Sequence, residues 1–108
     1  MYNEMDRYGF HGMMDGDFSY YGIEALWDFY CELEEERVEP MQFDRDTIRR
    51  AWREYEDRED VWKDYHHLFD IDGNDFLFLL WEEIAEMMND HTHVRVFKNG
   101  KGIILQQF

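Results

Sequence analysis

Residues 92–107 constrain the fold more than any other stretch of the chain. Two apolar runs, 94–97 and 103–105, flank Asn99-Gly100. That pair is the preferred centre of a two-residue type I′ hairpin turn, which needs φ above zero at both positions. Such a turn fixes the register. Val96 is expected opposite Ile103, Val94 opposite Leu105, and Phe97 opposite Gly102.

The rest of the chain reads mostly as helix. Ser19 can cap a helix reaching about Glu36, because Ile23, Leu26, Trp27, Tyr30 and Leu33 recur at helical spacing as one apolar stripe, and Pro40 then stops it. Residues 1–18, with Gly9, Gly12 and Gly16, read as a short frayed helix and an irregular approach. Residues 41–43 are expected to be extended. From Asp44 two readings stand. Ile48, Ala51, Trp52 and Tyr55 fit a helix, which periodicity prefers, whereas Ile48, Arg50, Trp52 and Glu54 fit strand alternation. Val61, Trp62, Tyr65, Leu68 and Phe69 predict a short helix, ended by a turn at 70–74. A third clear helix is expected from about Asp75 to Asn89, with Phe76-Leu77-Phe78-Leu79-Leu80-Trp81 buried on most sides. The fold class that follows is α+β: three to four helices packed with a small antiparallel sheet that ends in the C-terminal hairpin.

At 108 residues the chain is read as one domain, 1–108. Nine Phe, seven Tyr and four Trp supply a packed core, which separates it from disordered acidic tails. No apolar run approaches the roughly 18 residues of a membrane span, and no basic segment followed by an apolar one opens the chain. The expectation is therefore a cytoplasmic protein, neither secreted nor in a membrane. Its lone Cys31 suits a reducing compartment and is expected to be inert.

Charge is the second constraint. The net charge is −15, from 26 acids and 11 bases. Residues 65–90 carry seven acids and no base, and residues 91–108 carry Arg95, Lys98 and Lys101 and no acid, a small positive end. On the first long helix Glu24, Asp28, Glu32 and Glu36 stand four residues apart, with Glu34 and Glu35 beside them and Arg37 in opposition. On the later one Glu82, Glu86 and Asp90 repeat the step, with Glu83 adjacent. Like charges at this spacing destabilise a helix by roughly 0.2–0.5 kcal/mol per pair. A domain of this size is roughly 35 Å across, and duplex DNA of that length carries about 20 charges. Fifteen negative charges are of that order. Such a surface repels nucleic acid and membranes and attracts basic protein surfaces that ordinarily bind phosphates. The candidate partner-binding residues are Glu24, Asp28, Glu32, Glu35 and Glu36, with Glu82, Glu83, Glu86 and Asp90 as a second surface.

Other chemistry finds little support. Asp70-Ile71-Asp72-Gly73-Asn74-Asp75 resembles the opening of an EF-hand loop. Its sixth position is Asp75 where glycine is needed, and its twelfth is Trp81 where a bidentate Glu is needed. His91 and His93, placed on one face of a strand, and His66-His67 lack the spacing of a zinc site. Carboxylate pairs can be drawn at will among 26 acids, so none identifies a general acid or base. Cys31 precedes Glu32, Glu34, Glu35 and Glu36, which would raise its thiol pKa. The expectation is no catalytic residue, no metal and no cofactor. The aromatic surplus permits a homodimer.

The segment Asp17-Phe18-Ser19-Tyr20-Tyr21-Gly22-Ile23-Glu24-Ala25-Leu26-Trp27-Asp28-Phe29-Tyr30, with the Glu-Leu-Glu-Glu-Glu after it, resembles a widespread group of short, acidic, largely uncharacterised proteins of bacteriophages and prophages. The likeness continues through Phe43-Asp44, Trp52-x-Glu54-Tyr55 and Asp64-Tyr65 to the closing Gln-Gln-Phe, about two thirds of the chain. In that group the stretch matching 45–52 is more apolar and reads as a strand joining the hairpin. Arg49 and Arg50 depart from that pattern, so a two-stranded and a three-stranded sheet both stand. Glu54-Tyr55-Glu56-Asp57 also looks locally like acidic antirestriction proteins. The resemblance implies an anti-CRISPR or antirestriction inhibitor in a bacterial host cytoplasm, partnered by a basic nucleic-acid-binding protein or a CRISPR effector complex. The alternative it implies is a phage accessory protein that modulates host transcription or another process by protein contacts.

Overall fold

A computed structural model of the chain describes residues 6–36 and 44–108. The expected stop at Pro40, the extended piece at 41–43 and the opposing Arg37 lie outside the described residues. The fold is α+β, with six α-helical segments and a three-stranded antiparallel sheet among the described residues. The elements are α1 (Arg7–Met14), α2 (Tyr20–Glu35), α3 (Arg45–Ala51), β1 (Trp52–Tyr55), α4 (Arg58–Tyr65), α5 (Gly73–Phe76), α6 (Trp81–Met88), β2 (Val94–Val96) and β3 (Ile103–Gln106). A 3₁₀ turn over His66–Leu68 extends α4.

β3 is the centre of the sheet, in the order β1-β3-β2. The hairpin register is the expected one, with Val94 opposite Leu105 and Val96 opposite Ile103. The turn itself differs. Among the described residues positive φ occurs only at glycine, so Asn99 does not take the type I′ conformation. Instead the Gly100 N–H donates to the Phe97 carbonyl at 2.8 Å, Gly100 takes φ +71°, and Asn99 Oδ1 accepts from the Lys101 N–H. The Phe97 N–H still donates to the Gly102 carbonyl, which preserves the register.

Successive β3 side chains point to opposite faces, and Ile103, Ile104 and Leu105 are all fully buried. The sheet is therefore covered on both sides. Ile104 joins Trp52 and Phe97 under α1–α3, packed with Phe10, Met14, Ile23, Leu26, Trp27, Phe29 and Ile48. Ile103 and Leu105 join Tyr55 and Val94 under α4–α6, with Val61, Phe76, Trp81, Ile84 and Met88.

The two readings of 44–55 are both realised, in series. Asp44 caps α3, and the chain turns extended at Trp52. β1 pairs with β3 from Trp52 opposite Gln106 to Tyr55 opposite Ile103, so the sheet has three strands. α2 begins at its Ser19 cap as expected, with the Gly22 N–H donating to Ser19 Oγ. Glu54 of β1 fastens this end. Its carboxylate accepts from the Ser19 N–H at 2.6 Å and occupies the space a Gly22 side chain would need. A carboxylate at a helix N-terminus also complements the helix dipole. α1 is docked, not frayed, because Phe10 and Met14 are fully buried.

The helix expected over 75–89 is broken. Asp72 caps a short α5, residues 77–80 form a turn, and α6 starts at Trp81. A single helix would carry Phe76 and Trp81 onto different faces, whereas the turn brings both into the core. Arg58 holds that turn, donating from Nε to the Leu79 carbonyl at 2.6 Å while its guanidinium lies over the Trp81 ring. Glu83 Oε1 accepts from the Leu80 N–H, half of a capping box, since leucine has no side-chain acceptor to complete it.

Gly102 marks the tightest packing in the sheet, where an added Cβ would lie 2.5 Å from the Tyr55 carbonyl oxygen and 2.9 Å from the Phe97 ring. Gly102→Ala is expected to destabilise the fold by about 1–3 kcal/mol in urea titration. An unchanged midpoint would show that the sheet relaxes freely there.

Candidate functional site

The acid stripe of α2 is largely answered from within the fold. Glu24 is 5% exposed and is no surface residue. Arg7 Nη1 lies 3.2 Å from its Oε2, near enough for ion pairing without hydrogen-bond alignment, and Tyr20 donates to its Oε1 at 3.1 Å. That bond pushes the Tyr20 phenol pKa up. His11 stacks on Tyr20, with its Nε2 3.7 Å from Glu24 Oε1. Asp28 is shared by Arg7 at 3.6 Å and Lys98 at 3.4 Å, and Arg95 pairs with Glu32. Glu34, beside the stripe, is buried in the helix's inner face.

The positive end expected for residues 91–108 is thus not a separate pole. The hairpin lays Arg95 and Lys98 along α2, across 63 residues of sequence in the Arg95–Glu32 pair. No local pattern announces such a pairing, which is why sequence reading missed it. Exposed pairs of this kind stabilise by about 0–1 kcal/mol. Their larger effect is to remove Asp28 and Glu32 from the free negative surface.

The remaining carboxylates are different. Glu35, Glu36, Glu82, Glu86 and Asp90 are exposed, and no described Lys or Arg forms an ion pair with any of them. Glu83 is exposed too, with one oxygen committed to capping α6. Glu82 and Glu83 lie in the first turn of α6, where the dipole favours them. Glu35, Glu36, Glu86 and Asp90 lie in or just beyond the last turns of α2 and α6, where the dipole disfavours negative charge and neither last turn carries a base among the described residues.

The two acidic helix ends each border a cleft that reaches His93. The cleft holding Glu32, Glu36 and Arg95 and the cleft holding Asn89 and Asp90 are both lined by His93, which packs on Phe29 at 5.0 Å. His91 sits in the turn after α6, against Phe108, so the two histidines do not share a strand face. Among the described residues no group of three or more His, Cys, Asp or Glu is placed to hold a metal, and no helix is long and apolar enough to cross a membrane. Burial, reinforced by Asp28 and Glu34, pushes the Cys31 thiol up.

Sequence reading also missed the apolar border of the second acid face. Phe78 and Leu80 project from the 77–80 turn, 89% and 60% exposed. The available signal was Leu80-x-x-Glu83, a helix start inside the apolar run.

Compared with protein-family models, curated proteins and solved structures, the chain matches none. The site is defined by its own geometry: a neutralised α2 flank, and an α2 end and α6 face that no described Lys or Arg pairs with.

The distinction is measurable. Glu24→Gln is expected to lower unfolding free energy by about 1–3 kcal/mol, because it strips a buried carboxylate from Arg7. Glu32→Gln should stay within about 0.5 kcal/mol, as exposed ion pairs do. Equal losses in denaturant titration would show that both carboxylates are structural.

Proposed function

We propose that the chain is a phage-encoded inhibitor of a host defence nuclease, of the anti-CRISPR or antirestriction kind. It binds a basic, nucleic-acid-binding protein surface or a CRISPR effector complex, and does not itself bind nucleic acid. The observation that carries this reading is the placement of Glu35, Glu36, Glu86 and Asp90. Each is exposed and stands at a helix end where negative charge opposes the dipole. A fold selected for stability alone would place Lys or Arg at the end of α6, where the sequence has none between Tyr65 and Asp90. The fold has such bases and applies Arg95 and Lys98 to Glu32 and Asp28 instead.

The physical mechanism is electrostatic competition. A cleft that binds phosphates presents desolvated Lys and Arg, and carboxylates projecting from a helix end or an α6 face give those cations partners without base readout. The molecule is 46 Å along its longest axis, a length over which duplex DNA carries roughly 27 charges at one per 1.7 Å. Resemblance of the 17–36 segment to phage proteins supplies the biological setting. The rival, a phage accessory protein acting on another host process by ordinary contacts, draws on the exposed Tyr8, Tyr20 and Tyr21.

An affinity pull-down from bacterial lysates carrying several CRISPR and restriction systems, washed at stepwise salt and read by mass spectrometry, tests the reading. A nuclease or its guide complex should be recovered at low salt and lost as salt rises. The variant combining Glu35→Lys, Glu36→Lys, Glu86→Lys and Asp90→Lys should recover none. Salt-insensitive recovery of a polymerase or metabolic enzyme by both proteins would overturn it in favour of the rival.

A further inference from the structure

The α6 face is more than a row of charges. Ile71, Leu79 and Met87 line a groove of about 360 Å³ rimmed by Glu83, Glu86 and Asp90. Phe78 and Leu80 stand out from the neighbouring turn. Leaving large apolar side chains in water is unfavourable in proportion to their area. Here the backbone that presents them is fixed: Arg58 holds the Leu79 carbonyl, Glu83 holds the Leu80 N–H, and the Phe78 and Leu79 N–H groups donate back to Asp75 and Phe76. The exposure of Phe78 and Leu80 is built into the turn.

We infer that this groove docks a basic amphipathic helix of the partner, one apolar side chain seated between Leu79 and Met87 and flanking Lys or Arg side chains on Glu83, Glu86 and Asp90. Charge complementarity selects this occupant. The rim carries three carboxylates and no described base pairs with them. An acidic or neutral apolar segment would leave those carboxylates desolvated or repelled. A nucleic acid is excluded by sign, and a purely basic loop would leave the apolar floor of Ile71, Leu79 and Met87 uncovered. α6 is about 12 Å long at 1.5 Å per residue, room for about two turns of a partner helix and hence for anchors at i and i+3 or i+4. Met87 suits such a floor because its unbranched thioether adapts to the anchor.

The inference rests on the proposed function for the partner's charge and adds the apolar anchor, so its test separates the two. The full chain is titrated by calorimetry with a Lys/Leu peptide of amphipathic helical pattern and with a charge-matched peptide in which every Leu is Ser. The amphipathic peptide should bind at least tenfold more tightly, and Phe78→Ser combined with Met87→Ser should erase that advantage while leaving the weak binding of the Ser peptide. Both positions are exposed or half-buried, so circular dichroism should confirm that the variant folds. Equal binding of the two peptides, no binding of either, or an advantage that survives the double variant would overturn the groove. Equal binding lost in Glu86→Lys with Asp90→Lys would overturn the groove alone and leave the electrostatic reading standing. A Leu-dependent advantage with no response to those reversals or to salt would overturn the electrostatic reading. Self-association in sedimentation, abolished by Met87→Ser, would assign the groove to a second copy of the chain and overturn the inference.

Discussion

A strand whose consecutive side chains are Ile103, Ile104 and Leu105 cannot lie on the surface of a fold. Because strand side chains alternate, those three residues put apolar groups on both faces of the sheet, and both faces must be removed from water. The remaining architecture answers that demand. α1–α3 cover the Ile104 face and α4–α6 cover the Ile103 and Leu105 face. β1 and β2 satisfy the two backbone edges of β3. Each neighbour then has its own fastening: Glu54 ties β1 to the start of α2, Arg58 ties α4 to the turn before α6, and Gly102 lets the hairpin close on the Tyr55 carbonyl.

The same topology sorts the charge. β2 lies near α2, so the bases of the C-terminal segment fall on the acid stripe that precedes them by some sixty residues. Negative charge is consequently not spread evenly over two helices. Among the described residues it is compensated along the flank of α2 and left without an ion pair at the α2 and α6 ends and along α6. Along α6 the bare carboxylates Glu83, Glu86 and Asp90 rim a groove floored by Ile71, Leu79 and Met87, and charge beside apolar surface is the composition that protein interfaces use.

The sequence made local features legible and left the long-range ones dark. The Ser19 cap, the α2 stripe and the hairpin register each depend on residues within a few positions of one another, and each is found where periodicity and capping place it. Residues 44–55 resisted a single reading because they change from helix to strand at Trp52, and a window spanning the junction contains both periods. The apolar run at 76–81 has no periodicity to betray the turn within it. Only the core's demand for both Phe76 and Trp81 decides the break. Of the acid residues, Glu24, Asp28 and Glu32 lie on α2 and Glu82 and Glu86 on α6 as their spacing predicts, whereas Glu36 is the C-cap of α2 and Asp90 falls in the turn beyond α6; burial of Glu24 and pairing of Asp28 and Glu32 depend on α1 and the hairpin, which the helix's own sequence does not record.

If the carboxylates at the helix ends serve a partner, they are held against the interest of the fold. The most direct measurement is the unfolding free energy of the wild type and of the variant combining Glu35→Gln, Glu36→Gln, Glu86→Gln and Asp90→Asn, compared at low and high salt. The variant should be the more stable protein at low salt, with the difference shrinking as salt screens the helix ends. A variant less stable than the wild type would mean that these carboxylates serve the fold and not a partner.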